Sequence, residues 1–187
     1  MKKVVIINGK PRSGKDTAVG FMQGVLKESC ISSASFSSIE PVRTLLANAG
    51  IDVTAKTPAD RALLAEIGFS LEKHSAYRSR ATVEFTLEFF RLLAHKSGVV
   101  FLHIREPEMI ERVTRLIEEK GFDTITILVE SNRAEKVISN AADMNVGDID
   151  YTAILSNHGS LELLQANCCC ILHALNLLPI ADNSTLL

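Results

Sequence analysis

Gly9-Lys10-Pro11-Arg12-Ser13-Gly14-Lys15-Asp16-Thr17 places two glycines five positions apart with a lysine directly after the second. In this G-x-x-x-x-G-K spacing, glycines let backbone N–H groups curl round an anion. A helix starting at the same point aims its positive end there, and the lysine reaches the outer phosphates of a nucleotide. The context is right: an apolar run precedes the turn and a segment of helical period follows it. The residue after the lysine is commonly Ser or Thr, whose hydroxyl ligates Mg²⁺; here it is Asp16, with Thr17 next. Consecutive helix positions stand about 100° apart, so Thr17 does not replace the missing hydroxyl. A carboxylate is a hard oxygen ligand, and Asp16 is expected to hold Mg²⁺ directly or through water. The plainer alternative is a first-turn acid favoured by the helix dipole.

Such a turn needs a strand behind it and a helix after it, and the flanking sequence supplies both. Lys3–Asn8 reads as a buried strand, and Lys15–Ser29 as an amphipathic helix with Ala18, Phe21/Met22 and Val25/Leu26 on one face. Further strands are expected at Ile31–Phe36, Val99–Ile104, Asp123–Glu130 and Tyr151–Ser156. Thr57-Pro58-Ala59-Asp60 has the chemistry of a helix start. Pro107 opens another helix, with Met109/Ile110, Val113 and Leu116/Ile117 inward and Gly121 at its end. Ser160 caps a last helix whose inward face is Leu161, Leu164, Cys168, Leu172 and Leu175. Alternating strands and helices argue for a parallel sheet covered on both faces. Residues 36–98 read as helices only after the second strand, far more than a crossover needs, so they form an insertion with work of its own. The whole of 1–187 reads as one domain.

Other candidate residues follow from that layout. In an open α/β sheet, ligands bind outside the carboxyl ends of the strands. Lys15, Arg105, Arg133 and Asn157-His158-Gly159 all fall just past a strand end, hence on one rim. Arg43 and Arg61 lie in the helical insertion, where the alternative is a solvated helix charge. Arg78 and Arg80, in Tyr-Arg-Ser-Arg, could bind phosphate, but read rather as a plain surface loop. Glu106 is an odd residue to precede a first-turn proline, which hints at a Mg²⁺-bound water or at the helix dipole. His95, His103 and His173 read as packed or partly exposed, and Phe85/Phe89 have the spacing of a core face.

Composition excludes other classes. Twenty Lys+Arg against 22 Asp+Glu give a net charge of −2, with no basic face for a nucleic acid. Aromatics are 5% with no Trp, against a single-strand stacking platform. The opening apolar run, Val4 to Ile7, is shorter than the roughly seven residues a secretory signal needs. The uncharged stretch Leu163–Ala181 carries Gln165, Asn167, His173, Asn176 and Pro179, which reads as a buried helix rather than a membrane span. Cys30 and the run Cys168-Cys169-Cys170 suit neither a metal site nor a disulfide scaffold; they are expected to be apolar filler in a reducing, cytoplasmic setting. Oligomeric state is left open, a homodimer included.

The run GKPRSGKDT resembles the P-loop of the viral deoxynucleoside monophosphate kinases and the animal-type phosphomevalonate kinases, which share G-K-x-x-S-G-K-D. Phe36-Ser-Ser-Ile-Glu-Pro-Val-Arg43 is similar to their Phe-Ala-Asp-Pro-Leu/Val-Lys stretch after the second strand. Lys56-Thr57-Pro-Ala-Asp60-Arg61-Ala-Leu-Leu64 resembles their Lys-Thr…Arg…Leu helix. His103-Ile-Arg105-Glu106-Pro107-Glu108-Met-Ile110 looks like the H-I-R-E-P-E-x-I segment of phage-encoded members.

The resemblance covers residues 3 to about 170. It implies an α/β P-loop NTPase fold with a five-stranded parallel sheet flanked by helices, like that of nucleoside monophosphate kinases. Residues 36–98 would be a helical acceptor-binding insertion and 131–150 a lid. It further implies Mg²⁺-dependent transfer of the ATP γ-phosphoryl group to a (deoxy)nucleoside monophosphate. Gly9, Lys10, Arg12, Ser13, Gly14, Lys15, Asp16 and Thr17 would hold ATP. Arg43, Arg61 and Arg105 would hold the acceptor phosphate. Lys15, Arg105 and Arg133 would stabilise the transferred group, and the His158-Gly159 backbone would run past the adenine. The chemistry agrees, since phosphoryl transfer is mostly positioning and charge neutralisation. Two other readings remain: a kinase for another phosphorylated metabolite such as phosphomevalonate, or an ATP-binding regulator without transfer. The regulator draws support from the acids Asp143, Asp148 and Asp150 in the lid segment.

Overall fold

Val4 to Ile7 have no solvent exposure, and that fact organises the molecule. Side chains alternate along a strand, so a strand buried at every position must be covered on both faces. The computed structural model describes residues 1–132, 134 and 149–179. Within them β1 (Lys2–Asn8) lies at the centre of a five-stranded sheet with β2 (Ser32–Ser37), β3 (Gly98–His103), β4 (Asp123–Glu130) and β5 (Ala153–Ser156). The order is β2-β3-β1-β4-β5, and every pairing is parallel. Val5 and Ile7 face a core shared with α1 (Lys15–Glu28) and the last helix, α6 (Leu161–Ala174). Val4 and Ile6 face a second core built with α4 (Tyr77–Leu92) and α5 (Pro107–Glu118).

Between β2 and β3 the chain forms α2 (Glu40–Asn48), α3 (Pro58–Ser75) and α4. The insertion has a small core of its own, Val42, Leu46, Val53 and Leu64. The start of α3 is as the sequence predicts. The Thr57 hydroxyl accepts from the Asp60 N–H at 3.1 Å, while the Asp60 carboxylate accepts from the Thr57 N–H at 2.8 Å. Phe36 of β2 stacks on Phe85 of α4 with ring centroids 4.4 Å apart, and Phe85 and Phe89 pack on the second core as their spacing predicts.

Several expectations need correction. Tyr77–Arg80 is the first turn of α4 rather than a surface loop, and Arg78 is buried there. Tyr151 and Thr152 precede β5 because the Thr126 and Thr152 side chains exchange hydrogen bonds with each other's backbone N–H, displacing the ladder. Leu161 is 61% exposed although it shares a face with buried Leu164 and Cys168. It sits in the turn of α6 that begins at the carboxyl rim, beyond the sheet it would pack on. Of the cysteines only Cys168 is core filler; Cys30 and Cys170 are exposed, and all four are free. Burial pushes the Cys168 thiol up to about 12. Among the described residues no helix is long and apolar enough to cross a membrane.

Leu164→Ala should lower unfolding free energy by about 2–5 kcal/mol in urea titrations, as for a buried leucine. Leu161→Ala should change it by less than about 0.5 kcal/mol; equal losses would contradict this packing.

Candidate active site

β1 delivers the chain to its phosphate-binding turn through Asn8, which is fully buried. The Asn8 side-chain carbonyl accepts from the Gly9 N–H at 2.7 Å. Its amide donates to the Arg105 carbonyl at 3.2 Å and to the Tyr151 hydroxyl at 2.8 Å. One side chain therefore fixes the turn, the end of β3 and the approach to β5 together. Gly9 has φ +155°, and a Cβ there would stand 2.7 Å from the Val129 carbonyl, so only glycine fits. The Ser13 N–H closes the turn on the Lys10 carbonyl at 3.1 Å. Gly14, at φ +85°, begins α1 without any side-chain cap, leaving the first helical N–H groups for an anion. The Asn157 amide donates to the Ser13 carbonyl at 2.8 Å and occupies the space a Gly14 side chain would need.

Lys15 is 9% exposed, with Nζ 3.3 Å from the Gly9 carbonyl, so its charge lies folded across the turn. The Ser13 hydroxyl is buried without a hydrogen-bond partner among the described residues. An uncapped helix start, an inward lysine and an orphaned hydroxyl fit the phosphates of a nucleotide. Asp16 is 89% exposed and fits Mg²⁺, which binds one or two carboxylates plus substrate phosphates and keeps water. No group of three or more His, Cys, Asp or Glu among the described residues offers a self-sufficient metal cage.

His103, read as packed or partly exposed, is largely buried and lies beside this turn. Its Nδ1 lies 3.3 Å from Asp16 Oδ1 and its Nε2 lies 2.9 Å from Ser35 Oγ. Burial lowers its pKa; Asp16 pulls it up, and Lys15 and Arg105 push it down, with a lowered value as the result. The lowered value favours the neutral ring. The readable signal was register: His103 pairs with Ile7, two residues before Gly9.

Of the arginines expected to hold an acceptor phosphate, Arg105 follows β3 with its carbonyl held by Asn8. Arg43 sits in the first turn of α2, just past β2, 3.8 Å from Glu40. Arg61 is exposed in the first turn of α3 and its Nε donates back to the Lys56 carbonyl at 3.2 Å. Glu106, expected to meet a Mg²⁺-bound water or a helix dipole, is paired with Arg78. The Arg78 Nη1 and Nη2 donate to its two oxygens at 2.9 and 3.1 Å. The same guanidinium donates from Nε to the Ser38 carbonyl at 3.1 Å and from Nη2 to the Ser38 hydroxyl at 3.0 Å. Burial raises the Glu106 pKa, but Arg78 outweighs it and holds the carboxyl below its ordinary value.

The His158 ring Nδ1 accepts from the Asn132 N–H at 3.0 Å, tying the loop after β5 to the end of β4. Arg133, and with it 135–148 of the expected lid, lies outside the described residues.

No family model matches this chain, and neither does any curated protein. Solved structures do. A crystal structure named APE1195 is 17% identical with a TM-score of 0.54, the match covering 92% of this chain and 96% of that one. The Mycobacterium tuberculosis APS kinase CysC in complex with AMPPNP and APS is 15% identical with a TM-score of 0.52, covering 92% and 98%. The Cys556Ala mutant of that kinase gives 16% and 0.51. The chain has the P-loop kinase fold. Within that fold the turn after β1, the uncapped start of α1 and the buried Lys15 occupy one end of the sheet.

Gly14→Ala should weaken ATP binding at least tenfold in a calorimetric titration, because a side chain there meets Asn157 and a strained φ. Unchanged affinity would contradict the geometry. The Glu106 contribution to stability is fully present above the ordinary glutamate pKa and is lost as pH falls through the lowered native one. Urea midpoints from about pH 6 to about pH 3 should therefore fall less steeply in Glu106→Gln than in the parent; parallel curves would refute the pairing.

Proposed function

We infer that this chain transfers the γ-phosphoryl group of ATP to a small phosphorylated acceptor, and that the acceptor is a (deoxy)nucleoside monophosphate. The observation that carries this reading is the Asn8 bridge, which ties the anion-binding turn to the Arg105 segment. An anion held at Arg105 would then lie near the first, because that segment is bonded to the turn. Proximity of two anionic groups, with their repulsion neutralised, is most of what this reaction requires.

A phosphate monoester brings its own ionised oxygen and so needs no proton acceptor of the kind an alcohol nucleophile requires. The APS kinase likeness extends to the fold and does not carry an acceptor to this chain. The resemblance of GKPRSGKDT and of the His103–Ile110 segment to viral deoxynucleoside monophosphate kinases supports the nucleotide.

In this reading Lys15 moves from the Gly9 carbonyl to the outer phosphates and neutralises charge there. The Gly9–Thr17 backbone and the Ser13 hydroxyl orient them. Arg105 and Arg43 hold the acceptor phosphate, Arg61 closes from α3, and Arg133 serves the transferred group. Asp16 holds Mg²⁺, which when bound neutralises the bridging phosphate oxygens.

A coupled assay for ADP with a panel of nucleoside monophosphates should show turnover, lost at least a hundredfold in Lys15→Ala, on the scale of removing one preorganised charge donor. Turnover only with phosphomevalonate or another non-nucleotide phosphate would move the acceptor class. ATP binding with no monophosphate bound would leave a regulator instead of an enzyme.

A further inference from the structure

The acceptor side of the site is built from separate segments, and one buried side chain joins two of them. Arg78 is 5% exposed, and among the described residues its hydrogen bonds go to Glu106, directly after Arg105, and to Ser38, five residues before Arg43. Ser38 is itself anchored, its N–H donating to the His103 carbonyl at 3.1 Å at the end of β3. The guanidinium thus spans the gap between the β2–α2 and β3–α5 connections from beneath.

A third element closes over it. Gly68 of α3 is buried against Arg78, and a Cβ there would lie 3.4 Å from Arg78 Cδ and 3.0 Å from Ile39 Cδ1. A glycine at this point lets α3 lie directly on the arginine stem. One turn further along the same face of α3, Glu72 accepts from Ser79 and from Arg112, so α3, α4 and α5 are held as one block around the clamp.

We propose that Arg78 is a positioning residue which fixes the spacing of Arg43 and Arg105, so that both reach one acceptor phosphate. It touches neither substrate. Its planar fork is what the place needs: two parallel bonds to a carboxylate with Nε still free for a carbonyl. A lysine carries the charge but cannot make that set. Turning Arg78 to the acceptor itself would strand Glu106 half-buried without its cation, a costly arrangement. The proposal rests on the reading of Arg43 and Arg105 as acceptor ligands.

The test compares Arg78→Lys, Glu106→Gln, their double variant and the exposed control Arg80→Ala, each first checked for a native melting transition. With ATP and the best monophosphate, Arg78→Lys and Glu106→Gln should each raise the acceptor KM at least tenfold. The ATP KM should stay within twofold, the double variant should be no worse than either single one, and Arg80→Ala should match the parent. Equal losses for both substrates, additive losses, or no loss would overturn the proposal. If the parent transfers to no nucleoside monophosphate, the nucleotide-acceptor reading fails. The clamp is then judged by calorimetric binding of inorganic phosphate to protein saturated with AMPPNP. A tenfold weakening in Arg78→Lys upholds it; no weakening, or no phosphate binding by the parent, overturns it.

Discussion

Backbone N–H groups can be pointed at an anion only if the backbone behind them cannot relax. In this protein that constraint is met by Asn8, a polar side chain at the end of a strand with no solvent exposure. Every polar atom of its amide group is used: one holds Gly9, the other holds the Arg105 carbonyl and the Tyr151 hydroxyl. Buried polar groups are costly unless satisfied, so this network fixes the turn's geometry as firmly as the apolar core fixes the sheet. The positive-φ glycines at 9 and 14 and the uncapped start of α1 have meaning only against that rigid backing.

The charges follow a consistent plan. Lys15 is buried at the turn, Asp16 lies beside His103, and Glu106 is paired with Arg78. The neutral His103 fits this plan, because a second full positive charge between Lys15 and Arg105 would be self-repelling.

The sheet and the turn were legible from sequence because both depend on local pattern. Val4–Ile7 could only be an interior strand, G-x-x-x-x-G-K only a tight turn before a helix, and Thr57-Pro-Ala-Asp60 only a helix start. What escaped notice depends on contacts between distant segments. Nothing near Arg78 announces that Ser38 and Glu106 will meet it 40 and 28 residues away. The one available clue was Glu106 itself, an acid in a position where a better cap was expected. Asn8 was equally silent, since an asparagine at a strand end looks like ordinary turn chemistry. Leu161 misled for the reverse reason: its helical stripe is real, but the helix begins before the sheet is there to receive it.

The central claim is that one rigid rim holds two anions side by side. A crystal structure with Mg²⁺ and a bisubstrate analogue joining ATP to a nucleoside monophosphate tests it directly. The account predicts one phosphate chain on the Gly9–Thr17 backbone and Lys15, with the acceptor end hydrogen-bonded to Arg105 and Arg43. An acceptor end lying elsewhere, with neither arginine in contact, would contradict it.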